Sequence, residues 1–165
     1  MLTEILDCGG LFCGGLVRDY LIHGEKFNDI DFYFPNEIPE PFRSWKSNGA
    51  RRIYFDKGVE FHCIEPQRLS GNTDLSCNIF SFDGQKLRAR PTLNSFSYFK
   101  SWELLQNKRF VFTNTAEVRI KLKMLAKGWT QESRDFRRQS EPIAPPLGPW
   151  SDFTLAKERF DALAL

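Results

Sequence analysis

Phe12-Cys13-Gly14-Gly15-Leu16-Val17-Arg18-Asp19-Tyr20-Leu21-Ile22-His23-Gly24, followed four residues later by Asp29-Ile30-Asp31-Phe32-Tyr33-Phe34-Pro35, sets the architecture of this chain. Leu11-Phe12-Cys13 reads as a short buried strand that Gly14-Gly15 stops. Leu16 with Tyr20, and Val17 with Leu21, fall at helical spacing, and Gly24 is placed to end that helix. Polar and apolar residues alternate over 29–34 until Pro35 closes the run, which is a strand signal. Strand, glycine turn, helix and strand therefore follow one another within 25 residues of chain.

The chemistry-bearing side chains fall on these elements. Residues i and i+2 of a strand share a face, so the carboxylates of Asp29 and Asp31 project together while Ile30, Phe32 and Phe34 point to the core. Two carboxylates on one rigid strand suit a hard divalent ion such as Mg²⁺, or Mn²⁺. Val59-Glu60-Phe61 repeats the pattern. If its strand lies beside the first, Glu60 makes a third carboxylate, an arrangement suited to phosphoryl transfer. Backbone N–H groups freed at Gly14-Gly15 favour a phosphate, glycine permits its close approach, and Arg18 one turn on adds a charge-assisted contact.

Outward from this segment, Leu2 to Leu6 reads as a short helix, and Pro41 opens another through Trp45. Asp56-Lys57-Gly58 and Asp83-Gly84 each read as a hairpin turn, the first between 52–55 and 59–64, the second between 75–82 and 85–88. The clearest helix spans 115–127, with Asn114 as N-cap, Glu117 at N3, and Gly128 as its stop. Its apolar face is expected to be Val118, Leu122, Leu125 and Ala126. Arg119, Lys123 and Lys127 form a basic stripe on another face, fit to hold RNA, with Phe110, Phe112 and Trp129 as aromatic neighbours. Pro142, Pro145, Pro146 and Pro149 mark a connector before a short helix over 152–163. The domain reading is a head over 1–139, then connector and terminal helix over 140–165. The fold class is α+β, a mixed sheet flanked by helices.

Charge and composition agree with a soluble domain facing a polyanion. The charged fraction is 27% and the apolar fraction 41%, which excludes wholesale disorder. The segment 86–139 carries thirteen Lys or Arg against four Asp or Glu, although the whole chain has a net charge of only +2. An acidic part joined to a basic part fits a carboxylate metal site beside a nucleic acid. Four cysteines show no CxxC spacing, and Cys13, Cys63 and Cys77 sit in apolar stretches as reduced core thiols. No apolar run spans a bilayer and 1–15 lacks a basic n-region, so no membrane partner and a cytoplasmic location are expected.

With Phe12 to Gly24 followed by Asp29-Ile30-Asp31, the chain resembles the polymerase-beta-like nucleotidyltransferase superfamily. More narrowly, it is similar to the head of tRNA nucleotidyltransferases (CCA-adding enzymes) and poly(A) polymerases, whose pattern is GGxVRDxLLG and then DxD. The resemblance implies a polymerase-beta-like fold, Asp29, Asp31 and Glu60 as catalytic metal ligands, and Gly14, Gly15 and Arg18 at the triphosphate of an NTP. It implies that Asp19 orients its neighbours. Asp74-Leu75-Ser76-Cys77-Asn78 is similar to the family's RRDxTxNA segment, which adds Asp74 and Asn78 to the nucleotide contacts. The arginines of that segment are replaced by Asn72 and Thr73, and Thr115 and Ala116 stand where an acidic pair begins the base-reading EDxxR motif. The helical body and tail of long relatives have no counterpart, and the compact chain is similar to small nucleotidyltransferases of bacteriophages.

The leading expectation is transfer of a nucleoside monophosphate from an NTP to an RNA 3′ end, as in tRNA processing. Nucleotidylation of a protein or small molecule is a second reading, because the fold does not fix the acceptor. A non-catalytic module that binds nucleotide, RNA or protein is a third, motivated by the missing base-reading residues.

Overall fold

The alternation over 29–34 becomes strand β2 (Asp29–Tyr33), in which Ile30 and Phe32 are fully buried and Asp29 and Asp31 stay partly exposed. A computed structural model describes residues 1–49, 51–65, 75–89, 97–111, 118–132 and 154–163. The other strands of its main sheet are β1 (Leu11–Cys13), β3 (Lys46–Asn48), β4 (Arg51–Asp56), β5 (Val59–Ile64), β6 (Phe80–Phe82) and β7 (Leu87–Ala89). Their order is β3-β4-β5-β2-β1-β6-β7, antiparallel throughout except for the parallel pair β2–β5. A parallel pair needs a crossover, and the chain supplies it through α2 (Glu40–Arg43), β3 and β4. The described residues thus form an α+β arrangement around a mixed sheet.

Cross-strand register decides what each face carries. Phe12 lies opposite both Phe32 and Phe82, and Phe32 lies opposite Cys63, so one face presents a run of fully buried side chains. Phe32 also meets Phe42 and Trp45 edge-on, and Phe160 packs against Phe12 and Phe82 at 5.2 Å between ring centroids. Burying a Phe side chain is worth about 1.5–3 kcal/mol, so these rings account for much of the driving force. Phe160 belongs to α5 (Thr154–Asp161), and Arg159 Nη1 donates to the carbonyls of Leu21 and Ile22. The terminal helix, which the sequence reading sets apart with the Pro-rich connector, therefore packs into the same core. The prolines of the connector lie outside the described residues.

Both hairpin turns form. Lys57 and Gly58 have φ of 50° and 77°, the pair of positive values that a type I′ turn requires. At the second turn Asp83 Oδ1 accepts from the N–H groups of Gln85 and Lys86. The strand expected over 75–82 is shorter, because Ser76–Asn78 form a 3-10 turn and only Phe80–Phe82 pair. Tyr98–Gln106 forms a helix, α3, that the sequence reading did not identify; Ser97 Oγ caps it by accepting from Lys100 N–H. A small parallel pair joins Arg109–Phe110 (β8) to Thr130–Gln131 (β9).

The helix expected over 115–127 is present as α4 (Val118–Ala126); its proposed caps at 114 and 117 lie outside the described residues. Its buried face is corrected. Met124 is buried and Ile120 partly so, whereas Val118, Leu122 and Leu125 are exposed. Apolar residues lie on two sides of the helix, Val118, Leu122 and Leu125 on one and Ile120 and Met124 on another, so periodicity alone could not select the face that packs. Cys13, Cys63 and Cys77 are buried and in no disulfide, as expected, and Cys8 is an exposed cysteine, also in no disulfide. Burial pushes the Cys63 and Cys77 thiols up to about 12. No helix among the described residues is long and apolar enough to cross a membrane.

Candidate metal centre

Strand β5 lies parallel to β2 with Glu60 opposite Asp29 and His62 opposite Asp31, so four polar side chains share the sheet face away from the aromatic core. His62 stands between the carboxylates. Its Nε2 is 2.7 Å from Glu60 Oε1, and its Nδ1 is 3.2 Å from Asp31 Oδ1 and 4.0 Å from Asp29 Oδ2. One ligand atom each from Asp29, Asp31 and His62 all lie within 4.8 Å of one another, a group able to hold a metal ion. Glu60 reaches the expected face, but its carboxylate bonds to His62. The third member of the close group is therefore His62, with Glu60 as its orienting partner. The period-2 alternation that selected Glu60 selects position 62 equally, and only the register shows which of the two faces Asp31.

This network fixes the imidazole. With Nε2–H donating to Glu60, the Nδ1 lone pair accepts from Arg51 Nη1 at 3.0 Å, so that guanidinium would have to move aside for Nδ1 to ligate a cation. The Asp31 oxygen facing Nδ1 raises the His62 pKa above its ordinary value; burial opposes this and Glu60 adds to it. Burial, and then the charge of Asp31, push the Asp29 carboxyl up. Asp31 Oδ1 is buried with no hydrogen-bond partner, although His62 Nδ1 lies 3.2 Å from it. A buried carboxylate oxygen in this condition, beside a second carboxylate and an imidazole lone pair, is the donor set a divalent cation satisfies.

The glycine turn packs directly on this group. Gly14 has φ of +66°, and a Cβ there would stand 2.5 Å from Asp31 Oδ2. Both the left-handed backbone and the carboxylate demand glycine. Gly15 has ordinary helical torsions, and a Cβ would meet Asp19 Oδ2 at 3.4 Å, an ordinary contact. The following helix is π-helical over Leu16–Leu21, with Ile22 N–H donating to Val17 O. Its widened turn buries Leu16, Val17 and Leu21 together with the adjacent pair Arg18 and Asp19.

Arg18 is buried and its guanidinium is already engaged. Nε and Nη2 donate to the two oxygens of Asp19, and Nη1 donates to Asn78 Oδ1. Lys127 Nζ adds a third cationic contact to Asp19 at 3.0 Å. Burial alone would raise the Asp19 pKa, but Arg18 and then Lys127 outweigh it and hold the carboxyl below the ordinary aspartate range. Arg18 and Asn78 still line the cleft, with Gly14, Gly15, Asp29 and Asp31 on one side and Lys123 and Lys127 on the other. The stripe read from the sequence thus divides. Lys123 and Lys127 face the cleft, and Arg119 is exposed outside its lining. Asp74 and Phe112 lie outside the described residues. Phe110 and Trp129 are core residues, fully and almost fully buried, and offer no face to a nucleobase.

The cleft measures about 190 Å³, below the roughly 300 Å³ at which pockets begin to enclose a whole organic ligand. No family model, curated protein or solved structure matches this chain.

Proposed function

We propose that the chain is a metal-dependent nucleotidyltransferase with a polymerase-beta-like fold, acting on an NTP and an RNA 3′ end. One observation carries the reading: the Gly14 backbone lies against the Asp31 carboxylate, so a glycine turn and a metal-ligand group open into one cleft faced by lysines. Asp29, Asp31 and His62 Nδ1 would hold the ion, and Glu60 would fix the imidazole. A nitrogen among two carboxylates favours Mn²⁺ over Mg²⁺. When bound, the ion supplies charge neutralisation on the reacting phosphate and lowers the pKa of the attacking hydroxyl.

The protein's own groups do the rest. Backbone N–H groups at Gly14-Gly15 and the ammonium groups of Lys123 and Lys127 take the β- and γ-phosphates. Asp19 holds Arg18 and Lys127 in place and keeps their charge at the cleft wall. The acceptor oxygen forms a bond to the α-phosphorus as the bond to the β-phosphate oxygen breaks. Pyrophosphate leaves with that electron pair, and the hydroxyl proton is lost to water. The test is incubation with Mn²⁺ or Mg²⁺, each α-labelled NTP and bulk tRNA. Label should enter RNA, and Asp31→Asn should reduce the rate at least 100-fold, the order of loss when one charge-stabilising group is removed. Full turnover by Asp31→Asn would defeat the metal-dependent reading, and label entering protein alone would exclude RNA as acceptor.

A further inference from the structure

Strand β4 runs beside β5 with Ile53 opposite His62 and Phe55 opposite Glu60, so its odd-numbered positions share the carboxylate face of the sheet. Arg51 is on that face, two residues from the position opposite His62. Its Nη1 donates to His62 Nδ1 at 3.0 Å and lies 3.9 Å from Asp31 Oδ1, the buried carboxylate oxygen that has no hydrogen-bond partner. The Arg51 side chain is 48% exposed and lines the cleft together with Gly14, Gly15, Lys123 and Lys127.

A guanidinium carries five N–H donors and pairs best with a carboxylate or phosphate through two parallel hydrogen bonds. Asp31 is close by, yet among the described residues the side-chain hydrogen bond of Arg51 goes to an imidazole nitrogen. That contact sets one positive charge beside the aspartates and occupies the lone pair that a metal ion needs. Arg51 and a divalent cation therefore compete for one atom. The cation brings twice the charge to the carboxylates and repels a guanidinium left beside it. Once released, the side chain remains tethered at the cleft wall with its donors open, matched to a phosphate in charge and geometry.

From this competition we infer that Arg51 holds the cation position in the metal-free protein and, on yielding His62 Nδ1, turns to a phosphate group of the bound nucleotide. The nucleotide half rests on the nucleotidyltransferase reading, whereas the exchange at Nδ1 needs only the metal group. One side chain serves both states, so metal and nucleotide binding are positively linked through it. Arg51→Gln tests the two halves with opposite signs. The position is half exposed and the fold should persist, which thermal unfolding checks; Arg51→Met gives the same signs and replaces it if the Gln variant is unstable. Without nucleotide, Mn²⁺ affinity, read from the paramagnetic resonance of the free ion, should tighten by about 5- to 150-fold, the usual span of a coupling between sites. Lys123→Gln, which removes a charge from the wall of the same cleft, should tighten it less; equal gains would reduce Arg51 to a background charge and overturn the exchange. Spin-echo spectra of bound Mn²⁺ should show nitrogen coupling from His62 in both the natural protein and Arg51→Gln. Coupling in the variant alone would mean that Arg51 never leaves, and coupling in neither would overturn the exchange and the metal group together. ATP affinity by calorimetry should fall about 10- to 100-fold in Arg51→Gln at saturating Mn²⁺, the order for one hydrogen bond to a charged group, and should stay within about twofold in EDTA. A fall of equal size in both conditions, or in neither, would overturn the phosphate role. Both halves holding in a protein that transfers no label would keep Arg51 and discard the transferase. Label transfer with Mn²⁺ and ATP affinities unmoved by Arg51→Gln would do the reverse.

Discussion

Gly14 and Gly15 are neighbours with different duties. Gly14 combines a positive φ with a Cβ position occupied by the Asp31 carboxylate, so an added methyl must displace the carboxylate or the turn. Gly14→Ala should destabilise the fold by about 1–2 kcal/mol for the left-handed residue alone, with more from the displaced carboxylate, and should weaken Mn²⁺ binding. Gly15 has right-handed torsions and room for a methyl. Gly15→Ala should keep or slightly raise Tm while narrowing the phosphate approach, so that NTP affinity falls without loss of stability. Thermal unfolding and calorimetric titration on both variants check the contrast. Equal loss of stability in the two would mean that the turn serves folding alone. The sequence pointed to both glycines through their dipeptide; their division of labour needed the Asp31 carboxylate, which arrives from a strand fourteen residues further on.

Among the elements, the π-helical segment Leu16–Leu21 holds the cleft wall, and α5 holds that segment. Arg159 satisfies two of its final carbonyls, and Phe160 fills the gap between Phe12 and Phe82. Phe160→Ala should cost about 3–5 kcal/mol in urea unfolding, as for other buried aromatic truncations, with Asp29, Asp31 and His62 themselves untouched. A loss below about 1 kcal/mol would show that α5 is a detachable appendage, as its separation by the Pro-rich connector suggests. Helix α4 illustrates the opposite case. Its existence was legible from spacing and its stop at Gly128. Its orientation was not, because apolar residues lie on two of its sides and the cleft lysines stand between them.

At the scale of the whole molecule, stability depends on ionisation outside the metal group. Asp19 is held below its ordinary pKa by Arg18 and Lys127, and Asp83 is held low by backbone N–H groups of Lys86 and Gln85 and by Arg88, in each case against burial. A depressed carboxyl contributes stability that is full above its unfolded pKa and is lost as pH falls through its folded pKa. The protein should therefore lose stability progressively below about pH 4. Asp19→Asn should cost about 3 kcal/mol at neutral pH by leaving Arg18 buried without its counter-charge, and less as pH falls. Urea unfolding from pH 3 to 7 measures the gap, and a gap constant with pH would contradict the assignment of that stability to the Asp19 ionisation. The sequence by itself determined the strand–turn–helix–strand order, the shared face of Asp29 and Asp31, both hairpin turns and the reduced core cysteines, because each follows from torsional preference or a period of two or 3.6 along the chain. Only the tertiary structure decided that His62 rather than Glu60 closes on the aspartates, that Arg18 is committed to Asp19, and that Lys123 and Lys127 face the cleft. Those choices rest on strand register and on which side of a helix is buried, and both are set by contacts between residues far apart in sequence.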